Sequence, residues 1–275
     1  MTALAGHVAG RAGAGALRRA AALLAVWTPP AALAAAGLGA WEAAARGFDV
    51  PAWLLPPPSA IFAETGSSFG LLMGHAGTTL IEIILGFALA MGCGASLAAA
   101  IAYSPLLERS LYPLVIASQT VPIIAIAPLL LVWVGPEITS KVIVVALISF
   151  FPITVNLVDG LRAADSEMVD MFRTMGATRR QVFFKLQAPV ALPYLFSGLK
   201  VAAVVSVIGA VIGEWVGAQG GLGWLMRVSA PQLLTDRVFA AVLVLSAMAV
   251  ILFLAVAAGE RLALRNYPRA GRAQR

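Results

Sequence analysis

Residues 159–193 read DGLRAADSEMVDMFRTMGATRRQVFFKLQAPVALP, the longest polar interruption in an otherwise oily chain. Asp165 or Ser166 can cap a helix in which Met168, Met171, Phe172 and Met175 recur at helical spacing, with Glu167, Asp170 and Thr174 on the opposite side. Gly176 stands where such a helix ends in a left-handed residue. Thr178, with Gln181 three positions on, forms a capping box that starts a second helix, and Pro189 is expected to stop it. The stretch therefore reads as a helical elbow with one adaptable apolar face.

Around the elbow the chain is far more apolar than a soluble domain. Of 275 residues, 60% are hydrophobic and 12% charged, with mean hydropathy +0.91, against roughly 45–50% and ~25% in soluble domains. This composition belongs to a membrane protein. The net charge of +6 does not point to nucleic acid, because the basic residues cluster in loops beside apolar runs, as the positive-inside rule requires. The single cysteine, Cys93, lies in an apolar segment, and His7 and His75 lack metal-ligand spacing, so neither a disulfide framework nor a metal site is indicated.

Six apolar spans are predicted, giving an all-α polytopic fold. Residues 1–19 form a basic cytoplasmic segment. The run from Ala20 is longer than the ~7–15 residues of a signal-peptide core, so 20–45 reads as a retained first span, kinked at Pro29 and Pro30. An extracytoplasmic loop with an interfacial helix from Ser59 to Phe69 occupies 46–74, and the second span runs from Thr79 to Ala102. Along it Gly86, Ala90, Gly94, Ala98 and Ala102 recur every four residues, a stripe for close helix packing. Glu82 sits near its outer end.

A short inner loop from Tyr103 to Arg109 leads to a third span, Leu111 to Val134, interrupted by Gln119, Thr120 and Pro122. Polar groups and a missing backbone donor near mid-membrane either pair with a neighbouring helix or line a wet path. Val142 to Val158 returns to the elbow, and a fifth span runs from Leu195 to Gly217. Gly209, Gly213 and Gly217 mark a tight helix contact there, for which a second copy of the subunit is one partner. Glu214 lies about 21 Å along this helix from Lys200, within a hydrocarbon core ~30 Å thick, so it must face protein or water. It reads as a gate or cavity residue or as a structural hydrogen-bonding group.

A flexible outer connection from Gly217 to Thr235 precedes the last span, Val238 to Gly259, and a basic tail, 260–275. Fifteen Lys and Arg residues fall on the cytoplasmic side of this arrangement, against Arg46, Lys141, Arg227 and Arg237 outside, with both termini cytoplasmic.

Asp170, Gly176, Leu186 and Pro189 stand at the intervals of the EAA loop, and the elbow resembles that loop in the permease subunits of binding-protein-dependent ABC importers. Met171 and Phe172 replace the two alanines usual after the acidic residue, and Ala188 precedes the closing proline. QTVPIIAIAPLLLVW from Gln119, FFPITVNLVDGLR from Phe150 and GEWVGAQGGLGWLM from Gly213 are similar to further blocks of that family in the same order. The wording is closest to the sulfonate, taurine and nitrate group, and within it to permeases for thiamine pyrimidine precursors or riboflavin.

The resemblance implies a type I importer permease domain over 75–259, with 159–193 as its coupling loop, in the inner membrane. It implies ABC ATPase subunits, an extracytoplasmic solute-binding protein, a second and identical permease subunit, and membrane lipid as partners. Asp170, Arg173, Arg179, Arg180 and Thr178 would meet the ATPase through polar contacts, while Met171, Phe172 and Met175 fill its groove. Gln119, Thr120, Pro122 and Glu214 would line the path or gate. No cofactor is expected in this chain, ATP being hydrolysed by the partner subunits, since the sequence has no GxxxxGK[ST] loop. An ion-coupled secondary transporter working without an ATPase is the alternative. A membrane enzyme is disfavoured because HExxH, GxSxG and clustered His and carboxylate residues are all missing from the sequence.

Overall fold

The structure, a computed structural model, describes residues 28–266. The expected N-terminal segment 1–19, the start of the first span, His7 and the end of the basic tail lie outside the described residues. Among the described residues all regular secondary structure is helical, with no strand. It divides into two compact units, one ending at Glu64 and the other beginning at Thr65.

In the first unit, helix α1 covers 28–47 and α2 begins at Pro58, running Pro58–Ser67. Glu42 links them. Its carboxylate takes Arg46 at 2.6 Å, the Ser59 hydroxyl at 2.8 Å and the Ser59 backbone amide at 3.0 Å. An acidic group on a free amide in the first turn of a helix is the favourable end of the helix dipole.

The second unit contains α3 (Phe69–Tyr103), α4 (Pro105–Ala117), α5 (Ile123–Val134), α6 (Ile138–Arg162), α7 (Ser166–Thr174), α8 (Arg179–Val182), α9 (Ala188–Gly217), α10 (Leu222–Ser229) and α11 (Thr235–Ala263). Four helical stretches are long and apolar enough to cross a membrane: α3, α6, α8 through α9, and α11. The α4–α5 pair supplies a fifth if the two are taken as one broken span.

At the centre α3, α6 and α9 pack together, and the small-residue stripes explain how. A Cβ added at Gly86 would lie 2.5 Å from Val145, and one at Gly94 would lie 2.9 Å from the Thr154 hydroxyl. From the other side, a Cβ added at Gly198 would lie 2.6 Å from the Pro152 carbonyl, one at Gly209 3.0 Å from the Val145 Cα and one at Gly213 3.2 Å from the Lys141 Cα. In lipid, where apolar burial drives little, such contact is itself the cohesion. The Gly209–Gly213–Gly217 stripe is thus occupied within the chain, Gly217 meeting Leu131 of α5. One end of the core, with Leu72, Ile83, Val207, Leu222 and Leu245, joins α3, α9, α10 and α11. The other end, with Ile101, Val158, Leu161 and Ala191, sits beneath the elbow.

Four expectations are corrected. The inner loop from Tyr103 to Arg109 is reduced to Ser104, because Pro105 can occupy a first helical turn, where its missing amide costs nothing. The third span is two helices bent by 97° at residues 118–122. Pro189 does not stop a helix. Phe183–Gln187 form a π turn in which the Ala188 amide reaches back to the Phe183 carbonyl, so Pro189 enters as an early residue of α9. The flexible outer connection contains a helix, α10, with Leu222 and Leu225 buried.

Candidate functional site

Three groupings carry the sequence-predicted residues, and the elbow is the first. Asp165 caps α7 by accepting the Glu167 amide at 2.9 Å. Gly176 has φ +81°, and the Ala177 amide returns to the Phe172 carbonyl, closing the helix end. Thr178 caps α8 reciprocally: its hydroxyl accepts the Gln181 amide, and the Gln181 side chain accepts the Thr178 amide at 2.7 Å. Each cap is worth about 1 kcal/mol, so the turn is held locally.

No residue of α7 is buried. Met168, Met171 and Met175 are 44%, 50% and 78% exposed, an apolar face that no packing among the described residues explains. Phe172 is half-buried, and Asp170 pairs with Arg173 at 3.2 Å, both largely exposed. Arg179 is exposed on α8, whereas Leu186 is buried and Pro189 half-buried in the root of α9. Beneath, Arg162 bonds Glu108 at 2.8 Å and lies 4.6 Å from the Tyr112 ring centre, which ties the end of α6 to α4.

The second grouping is the α4–α5 bend. Gln119, Thr120, Val121 and Pro122 are all exposed. The hydroxyls of Ser118 and Thr120 donate to the carbonyls of Val115 and Ala117, taking up acceptors that the broken helix would leave bare. Near it a groove of about 580 Å³, almost wholly apolar, runs past Ile124, Ile208, Trp215, Met226 and Val242.

Glu214 belongs to neither. It is fully buried and takes the Thr79 hydroxyl at 2.6 Å and the Gly223 amide at 2.5 Å. The Leu222 amide donates to Thr79 at 2.9 Å, and the Gly221 amide donates to His75 Nδ1 at 3.2 Å. The His75 ring lies 5.2 Å from Trp224. Glu82, 3% exposed, meets the Glu214 carboxyl, and Lys141, 5% exposed, gives its ammonium to the carbonyls of Pro136 and Glu137. Gly221 has φ +98°, and a Cβ there would collide with the Glu214 carboxylate. Arg227 satisfies the carbonyls of Trp215 and Ala218 at the end of α9. These contacts fasten the α9–α10 turn onto α3. The sequence reading missed His75, Thr79 and Lys141 as members. The signal was there, since His75, Thr79 and Glu82 fall at helical spacing on one face of α3.

The sequence profile described as binding-protein-dependent transport system inner membrane component matches residues 92–265. A formylaminopyrimidine transport permease protein of Halalkalibacterium halodurans is 41% identical over 225 residues, covering 82% of this chain and 90% of that protein. A riboflavin transport system permease protein of Chloroflexus aurantiacus is 36% identical over 227 residues, covering 82% and 85%. Among solved structures, the MetNI methionine ABC transporter in inward-facing conformations has a chain that superposes with a TM-score of 0.63 at 19% identity, covering 71% of this chain and 97% of that chain.

Proposed function

Because the chain belongs to the family of binding-protein-dependent transport system inner membrane components, we propose that its elbow is the surface through which partner ATPases drive it. The family makes it a multi-pass transmembrane permease subunit of an ABC importer for a small solute, not an enzyme. That leaves the ion-coupled reading unsupported. The observation that carries the coupling assignment is the uncovered face of α7, with Met171 and Met175 half or more exposed above a capped, glycine-hinged turn. Methionines on such a face adapt to a groove, and their exposure in water has a cost that docking removes.

In this reading Asp170, Arg173, Thr178 and Arg179 make polar contacts with the ATPase, and Met171, Phe172 and Met175 enter its groove. Gly176 sets the angle of the elbow. Leu186 and Pro189 root it in α9, so that nucleotide-driven closure of the ATPases rocks α6 and α9 together. The permease domain spans 75–259, and both termini face the cytoplasm.

A second, identical permease subunit completes the path. The α4–α5 bend supports this, because Gln119, Thr120 and Pro122 are exposed on an oily surface where lipid could not satisfy the Gln119 side-chain amide. Covered by a second copy, they would line a wet path between subunits, with an extracytoplasmic binding protein delivering ligand from outside. Glu214 serves this path indirectly, by holding the outer turn. Identity of 41% to a formylaminopyrimidine permease favours a small nitrogen heteroaromatic as the solute.

Reconstitution in liposomes tests the reading. The purified chain, with its ATPases inside and binding protein outside, is expected to import a labelled formylaminopyrimidine only with ATP. Uptake that persists without ATPase, on an ion gradient alone, would overturn it.

A further inference from the structure

Beside the elbow, a slot of about 460 Å³ opens between the end of α3, the start of α4 and the α8 segment. Ala99, Ala100 and Leu107 give it an apolar floor, and Phe183 of the π turn forms a wall. Its volume is on the order of fifteen waters, about that of one fatty acyl chain. The slot is not uniformly oily. Arg180 and the exposed Tyr103 stand at its rim.

Arg180 is distinguished from the other elbow cations by its surroundings. Arg162 is paired with Glu108 and Arg173 with Asp170; among the described residues no carboxylate lies within ion-pair distance of Arg179, Arg180 or Lys185, and of these three only Arg180 lines the slot. Its guanidinium lies instead 5.8 Å from the ring centre of Phe184, which is 61% exposed. Phe183 and Phe184 stand edge to face, their centres 5.1 Å apart. A cation without a counter-ion, a phenol and an open apolar trough at the end of a membrane-crossing helix match one kind of molecule, an anion with an oily chain.

We propose that this slot binds an anionic phospholipid of the leaflet facing the elbow, its phosphate on Arg180 and Tyr103 and an acyl chain over Ala99, Ala100 and Leu107. A guanidinium binds a phosphate through two parallel hydrogen bonds, and the acyl chain covers apolar surface that the elbow leaves open. The lipid would then rest against the π turn through which α8 continues into α9. The inference rests on the proposed orientation only in taking that leaflet to be the cytoplasmic one; it gives Arg180, expected from the sequence to meet the ATPase, to lipid instead and leaves Arg179 to the ATPase.

Native mass spectrometry of the purified full chain, with phosphatidylglycerol or phosphatidylcholine of identical acyl chains added, tests the site without any ATPase. Phosphatidylglycerol should be retained about fivefold more than phosphatidylcholine. Arg180→Ala should remove that preference, Ala99→Phe should lower retention by filling the trough with the cation in place, and Arg109→Ala should change nothing. Equal retention of the two lipids, wild-type retention by Arg180→Ala or by Ala99→Phe, or an equal loss in Arg109→Ala would overturn it. So would complete displacement by excess inorganic phosphate, which would make the site a phosphate site without a chain. If lipid retention behaves as expected while ATP-driven import fails, the coupling assignment is wrong and the lipid site stands.

Discussion

Thr79 of α3 donates its hydroxyl to Glu214 of α9 across 2.6 Å, although 135 residues separate them in the chain. The same hydroxyl oxygen accepts the Leu222 amide, and the same carboxylate accepts the Gly223 amide. Two side chains thus replace the backbone partners that the α9–α10 turn lacks, in a region where water cannot substitute.

Replacing Glu214 with Leu leaves the Gly223 amide without its acceptor, at about 1–3 kcal/mol, while the Thr79 hydroxyl falls back on the His75 carbonyl at 3.2 Å. The thermal unfolding midpoint in detergent should fall clearly. Glu214→Gln keeps one acceptor oxygen and should assemble with altered transport. An unchanged midpoint in the Leu variant would show that the turn is held by other contacts.

Gly176→Val isolates a backbone effect, since the space a Cβ would enter is open and only the φ of +81° opposes it. A left-handed residue with a Cβ costs roughly 1–2 kcal/mol, more for a branched one, whereas Asn tolerates the conformation. The Val variant should insert normally yet lose ligand-stimulated ATP hydrolysis in liposomes, with Gly176→Asn retaining most of it. Full activity in the Val variant would count against the coupling assignment.

Two glycines should respond in opposite directions to the same change. Gly198→Ala places a methyl 2.6 Å from the Pro152 carbonyl, and overpacking of this kind costs about 1–3 kcal/mol. Gly92→Ala meets nothing within 4 Å and should stabilise its helix by roughly 0.5–1 kcal/mol. Thermal midpoints of the two variants check both signs.

Arg162→Ala removes an ion pair and a ring contact from the root of the elbow, but both charged partners are more than a third exposed. A loss of about 1 kcal/mol or less follows from the exposure. A larger fall in midpoint, one that high salt does not diminish, would mean that the α4–α6 junction is a principal support.

Thr178→Cys, in a background where Cys93 is replaced by Ser, reads the orientation. In intact cells an impermeant thiol reagent should leave it unlabelled, and labelling should appear once the inner face is opened. Labelling from outside would place the elbow on the wrong side for any ATPase.

Much of this was readable from residue order because it depends on neighbours along the chain. Asp165, Gly176, Thr178 and Gln181 act within one turn of a helix, so their spacing determined the caps and the elbow. The apolar runs likewise determined a membrane protein, because span length follows from bilayer thickness whatever the spans touch. Other features depended on partners far away in the chain. That Gly209 and Gly213 meet α6, that Pro189 enters α9 behind a π turn, and that residues 118–122 bend the chain by 97° were decided only when the helices packed. Periodicity shows that a helix has a close-packing face and is silent on what fills it. Glu214 marks the boundary. Its charge in an apolar run required a buried partner, but Thr79, Gly223 and Glu82 became that partner only where tertiary structure brought α3 and the outer turn together.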